Sequence, residues 1–591
     1  MSDDERIAGL EATIARLERD LAESKELRRE AVAARDAVSA RLDRARERLD
    51  TLRGRRAVRV ALVASDRSHW AVDAVEKFIA RPRQVAGSIR RRIRGSGGRR
   101  GAVSEQAKRG MGTAISREAD LDDSGPGAYR DALLDAIDDA LRSSDTRFHV
   151  AIVGGGATAE ELGVGPETLG WRVSQVGPAD ARAAIDPSVE AVIVFDAASD
   201  IRELPRRLIS IASIADPAPW LDAPWFDDLD IVLGASPSVV EAVRLGSAKT
   251  ATLAPAPIDA VVVRDAIVAW ATATRYGLRV GVPDRAVADR WGDYHFARAL
   301  QRALERAGHP TRLHLLPDWA SGVAAREDVT VHLLGLKDAP IRPDQVNLLW
   351  QISHPDVATP ELYERYDHVF VASDPFAARM ATLAKVPVTA LHQATDPERF
   401  RPDPTGPEHE LLFVGNSRNV RRRIVDDAVA TGHDLAVYGG RWRPDLIDPR
   451  FLKGEQIPND ELRRYYSSAA IVLSDHWHDM RAEGFISNRL YDALACGAFV
   501  ISDHIEGLQA EFDDAVVTYQ DRDELRTLVE RYLADPAERR RRGELGRAAV
   551  LARHTFEARA GVIRATADSI LAARRAQPPA LMRTGRAAPP R

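Results

Sequence analysis

Residues 481–503 read RAEGFISNRLYDALACGAFVISD, and this stretch decides the fold of the C-terminal part of the chain. It opens with Glu483 and Gly484, passes through a polar turn, and then carries apolar residues at helical spacing up to Gly497, a typical helix stop. The apolar run AFVIS follows and ends on Asp503. The pattern predicts a loop, a short helix and a buried strand, which is the repeating unit of a parallel α/β sheet.

The polar residues at the start of this helix indicate a binding site. Ser487, Asn488 and Arg489 crowd the helix N-terminus, where unpaired N–H groups and the helix dipole favour an anion such as phosphate. Asp492 lies about one turn further on, where its carboxylate could accept hydrogen bonds from a ribose. Glu483 could do the same for a sugar. These residues predict a nucleotide-sugar site, whereas an ordinary loop–helix–strand unit would explain only the apolar positions.

Composition excludes several classes of protein. With 591 residues the chain is long enough for several domains. The formal net charge of −5 argues against a molecule that binds polyanions over its whole surface. The single cysteine, Cys496, excludes an internal disulfide and a cysteine-rich zinc site. No apolar run approaches the ~20 residues that span a bilayer, and the acidic N-terminus does not resemble a secretory signal, so we expect a cytoplasmic protein.

The N-terminal quarter is predicted to differ from the rest. Apolar residues recur at heptad spacing within residues 1–56, which predicts a coiled coil and a homodimer, a single amphipathic helix being the alternative. Residues 57–127 are predicted to be a basic amphipathic segment and linker. Basic runs within residues 53–100 fit an anionic membrane surface, such as the inner membrane face, and a solvated linker equally well. We expect no nucleic-acid partner, because no reading element accompanies them.

From residue 148 onward, buried strands alternate with helices in three sets. They predict α/β domains with Rossmann-like parallel sheets at 128–277, 278–405 and 406–575, followed by a disordered tail at 576–591. Residues 228–259 align without gaps to residues 365–396, at one offset of 137. This alignment indicates an internal duplication whose first copy is degenerate and is kept for scaffolding or partner binding.

Residues from about 278 to 570 resemble a GT-B glycosyltransferase of the glycosyl transferases group 1, which includes CgeB-like proteins. The resemblance rests on FVGNSRNVRRR at 413–423, VYGGRW at 437–442, the stretch 457–503, WGDYHFARAL at 291–300, ISHPD at 352–356 and HQATDPERF at 392–400. It implies two facing Rossmann-like domains, of which the C-terminal one binds the nucleotide sugar and the N-terminal one binds the acceptor. It also implies that a final helix near 554–574 crosses back to the N-terminal domain.

The resemblance further implies a donor site without a metal or another cofactor. GT-B enzymes typically meet the departing diphosphate with cationic side chains and helix N-termini. Among Arg421, Arg422 and Arg423 we expect Arg422 to point inward, since an arginine can bind phosphate with two parallel hydrogen bonds. The donor-binding set is completed by Gly415, Asn416, Gly439, Arg441, Asp475, Ser487, Asn488, Arg489 and Asp492.

On the implied catalytic and acceptor side, Glu483, Asp293 and His295 would meet the donor sugar, and His354 would point into the cleft. His295 could act as a general base in an inverting reaction. In a retaining reaction it would only orient groups, and a locally bonded helix-start histidine is an equally good interpretation.

One departure from the family leaves the stereochemistry open. The retaining group has two glutamates separated by seven residues, whereas the residue eight before Asp492 is Gly484 rather than Glu483. We expect a hexosyltransferase, of the retaining type, that moves a sugar from a nucleoside diphosphate sugar to a cell-surface polysaccharide or another surface glycoconjugate. The alternative is a non-catalytic assembly or scaffold protein of the cell envelope that binds sugar nucleotides.

Overall fold

The structure is a computed structural model that describes residues 148–153, 171–176, 185, 188–201, 208–223, 225–319, 326–335, 337–417 and 419–576. The predicted coiled coil, the basic segment and its membrane contact, and residues 577–591 of the predicted tail lie outside these residues. Within them, no helix is both long and apolar enough to cross a bilayer.

Three six-stranded sheets, in which every pairing is parallel, form the framework of the described chain. The first sheet has the order β2-β1-β3-β4-β5-β6. Its strands are β1 (Phe148–Val153), β2 (Trp171–Val176), β3 (Ala191–Val194), β4 (Ile209–Ile214), β5 (Ile231–Gly234) and β6 (Thr252–Leu253).

The second sheet repeats this order as β12-β11-β10-β9-β7-β8, and the third has the order β15-β14-β13-β16-β17-β18. The strands of the second sheet are β7 (Tyr276–Val280), β8 (Thr311–His314), β9 (Val329–Leu334), β10 (Val346–Gln351), β11 (His368–Val371) and β12 (Val388–Ala390). Those of the third are β13 (Leu411–Val414), β14 (Leu435–Tyr438), β15 (Leu452–Gly454), β16 (Ile471–Ser474), β17 (Val500–Asp503) and β18 (Val517–Tyr519).

Helices cover the faces of the sheets, which is why central strands such as β9 and β10 are buried at every position. The described α-helices are α1 (Ala218–Leu221), α2 (Pro237–Gly246), α3 (Ala260–Thr272), α4 (Gly292–Arg306), α5 (Pro360–Tyr363), α6 (Asp374–Ala381), α7 (Arg423–Val429), α8 (Leu462–Ser468), α9 (His478–Ala482), α10 (Asn488–Ala495), α11 (Leu508–Glu511), α12 (Arg522–Leu533), α13 (Pro536–Arg553) and α14 (Phe556–Ala576). Short 3-10 turns are Phe226–Asp228, Arg285–Arg290, Leu316–Asp318, Pro355–Val357 and Pro449–Phe451.

The first two sheets share local structure as well as strand order. Ser236 caps α2 by accepting from the backbone N–H three residues on, and Ser373, 137 positions later, caps α6 in the same way. Asp230 accepts from the backbone N–H of the preceding strand at 3.0 Å, and the equivalent Asp367 does so at 2.7 Å. The gapless alignment of the two segments therefore corresponds to a repeated structure.

The final helix joins the second sheet rather than the third. Its buried residues Phe556, Ala560, Ile563 and Ala567 belong to the hydrophobic core of the second sheet. The ring of Phe556 packs edge-on against that of Phe296 on α4, with centroids 4.8 Å apart. A helix that follows the third domain and returns to the second is the arrangement expected for a GT-B fold, and the predicted fold class is confirmed for the described residues.

The first sheet docks beside the second through charged pairs. Lys249 Nζ lies 2.7 Å from Glu305 Oε1, with both side chains buried, and Arg312 Nη2 lies 2.6 Å from Asp230 Oδ1.

Three strands, β2, β4 and β15, were not predicted. The six residues of β2 mix apolar and polar side chains, and β15 has only three residues, so neither carries a clear apolar run.

Candidate active site

The candidate site lies at the carboxyl edge of the third sheet. In the order β15-β14-β13-β16-β17-β18, the chain continues from β13 to one edge of the sheet, through β14 and β15, and from β16 to the other edge, through β17 and β18. Ligands of open α/β sheets bind in the crevice outside the strand ends at such a switch point. The segments that follow β13 and β16 carry Arg422 and Asp475, which meet there.

Arg422, Arg489 and Asp475 form what we call the arginine cluster. Arg422 Nε donates to Asp475 Oδ2 at 2.7 Å, and its Nη2 donates to the other carboxylate oxygen. Arg489 Nη1 lies 3.7 Å from Asp475 Oδ1. The exposed fractions of the three side chains are 6% (Arg422), 16% (Arg489) and 8% (Asp475). Two guanidinium groups thus share one carboxylate, and burial lowers the pKa of Arg489 from its usual value.

Aromatic rings fix both guanidinium groups. Arg422 lies 4.4 Å from the ring centre of Trp477 and 5.5 Å from that of Phe413, while Arg489 lies 5.1 Å from Phe413. Of the three consecutive arginines, Arg422 is the buried one, whereas Arg421 and Arg423 are exposed. The fixed, partly desolvated charges are suited to binding an anion without reorganisation.

Glycines allow the close approach of the backbone around this cluster. A Cβ atom on Gly415 would stand 2.7 Å from Arg489 Nη2, so only glycine leaves the guanidinium in place. Gly439 has φ 153°, and a Cβ there would overlap the carbonyl oxygen of Gly415. Asn416 Oδ1 accepts from the N–H of Gly440 at 2.7 Å, which ties the ends of β13 and β14 together. Arg441 is exposed, with a left-handed φ of 63°.

A cavity of about 590 Å³ opens beside the arginine cluster. Its charged lining combines Arg421, Arg422, Arg423 and Arg481 with Asp475 and Asp503. Asp503 Oδ1 is already bonded to His476 Nδ1 at 2.7 Å. Positive side chains therefore outnumber negative ones, as a phosphorylated ligand requires.

Glu483 lies where the second and third sheet domains touch. Its Oε2 is 2.7 Å from Arg379 Nη1 on α6, and its backbone carbonyl accepts from Ser373 Oγ at 2.5 Å. Glu483 thus lies at the cleft between the two domains, but its carboxylate forms an ion pair with the guanidinium group of Arg379.

Asp492 also meets the second domain. Its Oδ1 accepts from Thr395 Oγ1 at 2.7 Å and its Oδ2 from Asn488 Nδ2 at 2.8 Å. Burial, together with the nearby Asp396, raises the pKa of Asp492 well above its usual value. Ser487 is the N-cap residue of α10 but makes no capping bond with its side chain. Both carboxylate oxygens of Asp492, which was predicted to bind a ribose, therefore already accept hydrogen bonds from protein groups.

The predicted acceptor-side residues are on the second domain. His295 Nε2 lies 2.8 Å from the carbonyl oxygen of Asp289, and Gln456 of the third domain reaches the same oxygen at 3.3 Å. Because a carbonyl only accepts, Nε2 carries the proton and Nδ1 is left as an acceptor. Burial lowers the pKa of His295 from 6.5, so the ring is neutral at pH 7. Asp293 lies in the first turn of α4, facing Gly335 at the end of β9.

His354 follows β10 and has a left-handed backbone, with φ 54°. A ligand-type atom of its ring lies within 4.8 Å of carboxylate oxygens of Asp356 and of Asp479 on α9 of the third domain. His354 thus lies at the same domain boundary as Glu483. The sequence-predicted residues fall into two sets, with the arginine cluster and its glycines at one strand edge and Glu483, Asp492, His295 and His354 along the boundary.

Sequence reasoning missed Phe413, Trp477, Arg379 and Thr395. Phe413 and Trp477 lie close in sequence to Gly415 and Asp475, which were predicted as site residues. Aromatic residues near strand ends are usually assigned to the hydrophobic core, so these two were not predicted. Arg379 and Thr395 come from the other domain, and no local pattern links them to Glu483 or Asp492.

The sequence profile of a family described as glycosyl transferase-like matches residues 418–565. Comparison with curated proteins gave no match. Among solved structures, sucrose-phosphate synthase from Thermosynechococcus elongatus is 18% identical, with 51% of this chain and 100% of that chain covered and a TM-score of 0.39. HepE from Anabaena, in complex with UDP and glucose, is 12% identical, with 50% and 100% covered and a TM-score of 0.35. An α-glucosyltransferase in complex with UDP and a 13-mer DNA containing an HMU base is 10% identical, with 50% and 100% covered and a TM-score of 0.39. The family match supports the glycosyltransferase superfamily.

Proposed function

We propose that the protein is a metal-independent glycosyltransferase that moves a hexosyl group from a nucleoside diphosphate sugar to a surface polysaccharide or another surface glycoconjugate, with retention of configuration. The arginine cluster carries this proposal. Two fixed guanidinium groups share one carboxylate at the switch point of a Rossmann-like sheet, so the arginine cluster itself carries a net positive charge where a diphosphate would bind. The matched family profile over residues 418–565 supports the same reaction class.

The chemistry follows from the charges. When the glycosidic bond to the diphosphate breaks, negative charge grows on the leaving phosphate, and Arg422 and Arg489 stabilise it without having to move. Glu483, which follows α9 at the boundary with the second domain, would bind sugar hydroxyls after its ion pair with Arg379 opens. In the retaining reaction the departing phosphate takes the acceptor proton, and neutral His295 orients the acceptor.

Calorimetry with a panel of nucleoside diphosphates and their sugars tests the donor site. Wild type is expected to bind at least one of them. Arg422→Ala should weaken that binding by roughly 10- to 100-fold, the loss expected for a charged hydrogen-bonding group. Arg450→Ala is the control, since this side chain of the same domain is 71% exposed, lies outside the cavity lining and should leave affinity within about twofold. Equal losses in the two variants would contradict the assignment.

One observation favours a second candidate, a non-catalytic protein that binds sugar nucleotides. Glu483 and Asp492 are both engaged by side chains of the second domain, as structural residues would be. Release of nucleoside diphosphate from a bound nucleotide sugar separates the two functions. The enzyme should release it at a rate that falls in Glu483→Ala, whereas the binding protein should hold the nucleotide sugar intact in both forms.

A further inference from the structure

An exposed tryptophan stands at the start of α4 in the second domain. Within the described residues, Trp291 is the only tryptophan, tyrosine or phenylalanine that is exposed, with 40% of its surface accessible to solvent. Tryptophan is highly buried on average, and its large ring is a strong contact group in binding sites. Because single exposed apolar residues are common, the location of Trp291 decides whether its ring binds a ligand.

Trp291 lies at the ligand-binding edge of the second sheet. The chain continues from β7 to β8 at one edge of this sheet and from β9 through β10 and β11 to β12 at the other, so β7 and β9 flank a switch point. Helix α4 follows β7 and begins at the carboxyl ends of these strands, where Asp293 in its first turn faces Gly335 after β9. The Trp291 carbonyl accepts from the N–H groups of Tyr294 at 3.1 Å and His295 at 3.4 Å, so the residue is fixed to this helix start.

Trp291 is also close to the boundary with the third domain. Two residues earlier, the carbonyl oxygen of Asp289 lies 2.8 Å from His295 Nε2 and accepts from Gln456 Nε2 of the third domain at 3.3 Å. The exposed tryptophan therefore lies near the entrance of the cleft between the two domains, and it belongs to the domain that does not carry the arginine cluster.

The segment that leads to Trp291 is held from both ends. Arg285 begins the 3-10 turn Arg285–Arg290, and its Nη2 donates to both carboxylate oxygens of Asp228 in the first domain, at 2.8 and 3.0 Å. At the other end, the N–H of Trp291 donates to the carbonyl of Ala288 at 2.9 Å. A contact surface that is fixed before binding loses little conformational entropy when a ligand settles on it.

We propose that Trp291 is a stacking surface for a pyranose ring of the acceptor, which makes the acceptor a saccharide. One face of a pyranose presents C–H groups that pack on the electron-rich face of an indole, while its hydroxyl groups need polar partners around the rim. The Asp293 carboxylate and His295 Nδ1 are polar groups of this kind within about one helical turn. Gly292 leaves space beside Trp291, because a Cβ there would meet nothing within 4 Å. The inference rests on the proposed transfer reaction and names the chemical class of its acceptor.

A protein or membrane partner fits these surroundings less well. The neighbours of Trp291 in the chain are the exposed Arg290 and Gly292. Along the described chain, the nearest other large hydrophobic residues that are exposed are Leu253 and Leu383, so the sequence around Trp291 supplies no apolar patch. Proteins and bilayers are bound through contiguous apolar surface, whereas a single ring with polar neighbours matches an amphipathic sugar.

Saturation-transfer difference NMR of the full-length protein with the methyl pyranosides of glucose, galactose, mannose and N-acetylglucosamine tests the stacking surface. Wild type should transfer magnetisation to the C–H protons of at least one of them. Trp291→Ala should weaken that binding about tenfold, and Trp291→Phe, which keeps a smaller ring, about threefold. Leu383→Ala is the control and should change nothing, since this 56% exposed residue of the same domain follows the C-terminal end of α6, away from the carboxyl edge of the sheet.

The inference is overturned if no methyl pyranoside binds wild type, or if Trp291→Ala binds one as tightly as wild type does. Vesicles of phosphatidylglycerol and phosphatidylcholine provide a separate arm. Vesicle binding that depends on Trp291, without any pyranoside signal, would assign the ring to a membrane surface and equally reject the saccharide.

Calorimetry of the same samples with nucleoside diphosphates separates this inference from the proposed function. If wild type binds a nucleoside diphosphate but Trp291→Ala and wild type bind the pyranosides equally, only the acceptor assignment is lost. If wild type binds no nucleotide, the transferase proposal is lost, whether or not a pyranoside stacks on Trp291.

Discussion

Arg422 and Asp475 form a two-point ion pair that links the loop after β13 to the end of β16. The strands β13 and β16 are not consecutive in sequence, but they are neighbours in the sheet, and this brings the two side chains together. With Arg489 on the same carboxylate, the pair sets both the stability and the charge of the candidate donor site.

Replacing Asp475 by alanine leaves two buried guanidinium groups without their shared anion. We expect the free energy of unfolding to fall by about 3–5 kcal/mol, the usual cost of removing one partner of a buried ion pair. Added pyrophosphate should recover part of the lost Tm, because it supplies the missing negative charge. Denaturant unfolding with and without pyrophosphate measures both effects, and a variant as stable as wild type would refute the role of Asp475.

Gly415→Ala should displace the Arg489 guanidinium, since the new Cβ would stand 2.7 Å from Nη2. Arginine is flexible, so the stability cost should stay below about 2 kcal/mol, while nucleotide affinity should fall about tenfold. Gly561→Ala is the control, because nothing lies within 4 Å of a Cβ at that position. Calorimetry of both variants tests the prediction, which fails if their affinities are equal.

Asp492→Asn should make the protein more stable at pH 8 than wild type. The pKa of Asp492 is higher in the folded than in the unfolded state, so wild-type stability falls as pH rises from about 4 through the folded-state pKa. Asparagine removes that loss, and Asn488 can turn its amide so that its unpaired oxygen accepts from the new NH₂ group.

Thermal unfolding at pH 4 and pH 8 measures the Asp492 effect, and the two proteins should differ little at the lower pH. The exposed substitution Asp523→Asn serves as the control. If Asp492→Asn is less stable than wild type at both values, the carboxylate is ionised and structurally required.

His295→Gln tests the stereochemical proposal. In a retaining reaction this residue only orients groups, so kcat should fall by less than about 100-fold, below the usual range for losing a general base, and the pH–rate profile should keep its shape. An inverting base would behave differently. Its activity would fall as pH drops through the His295 pKa, which lies below 6.5, and this acid limb would vanish in the variant.

Much of the fold follows from sequence because apolar strands and helical periodicity are local signals. The runs that became β9, β10 and β13 are mostly apolar, and the sequence pattern predicts a strand at each of them. The candidate site was harder to predict. The positions of Arg422 and Gly415 could be inferred from the strand end, but the partners of Glu483 and Asp492 come from another domain, and only tertiary packing brings Arg379 and Thr395 to them.

The duplicated aspartates show how the chain is held together. Asp230 uses its second oxygen to anchor Arg312 of the next domain, and the equivalent oxygen of Asp367 anchors Arg574 near the chain's final helical turn, at 2.7 Å. Burial alone would raise the pKa of Asp230, but Arg312 and Arg326 lower it to about 2. The same aspartate position therefore binds an arginine from a neighbouring domain in the first copy and an arginine from the final helix in the second. Removing that helix would leave the carboxylate of Asp367 open to an arginine from another molecule.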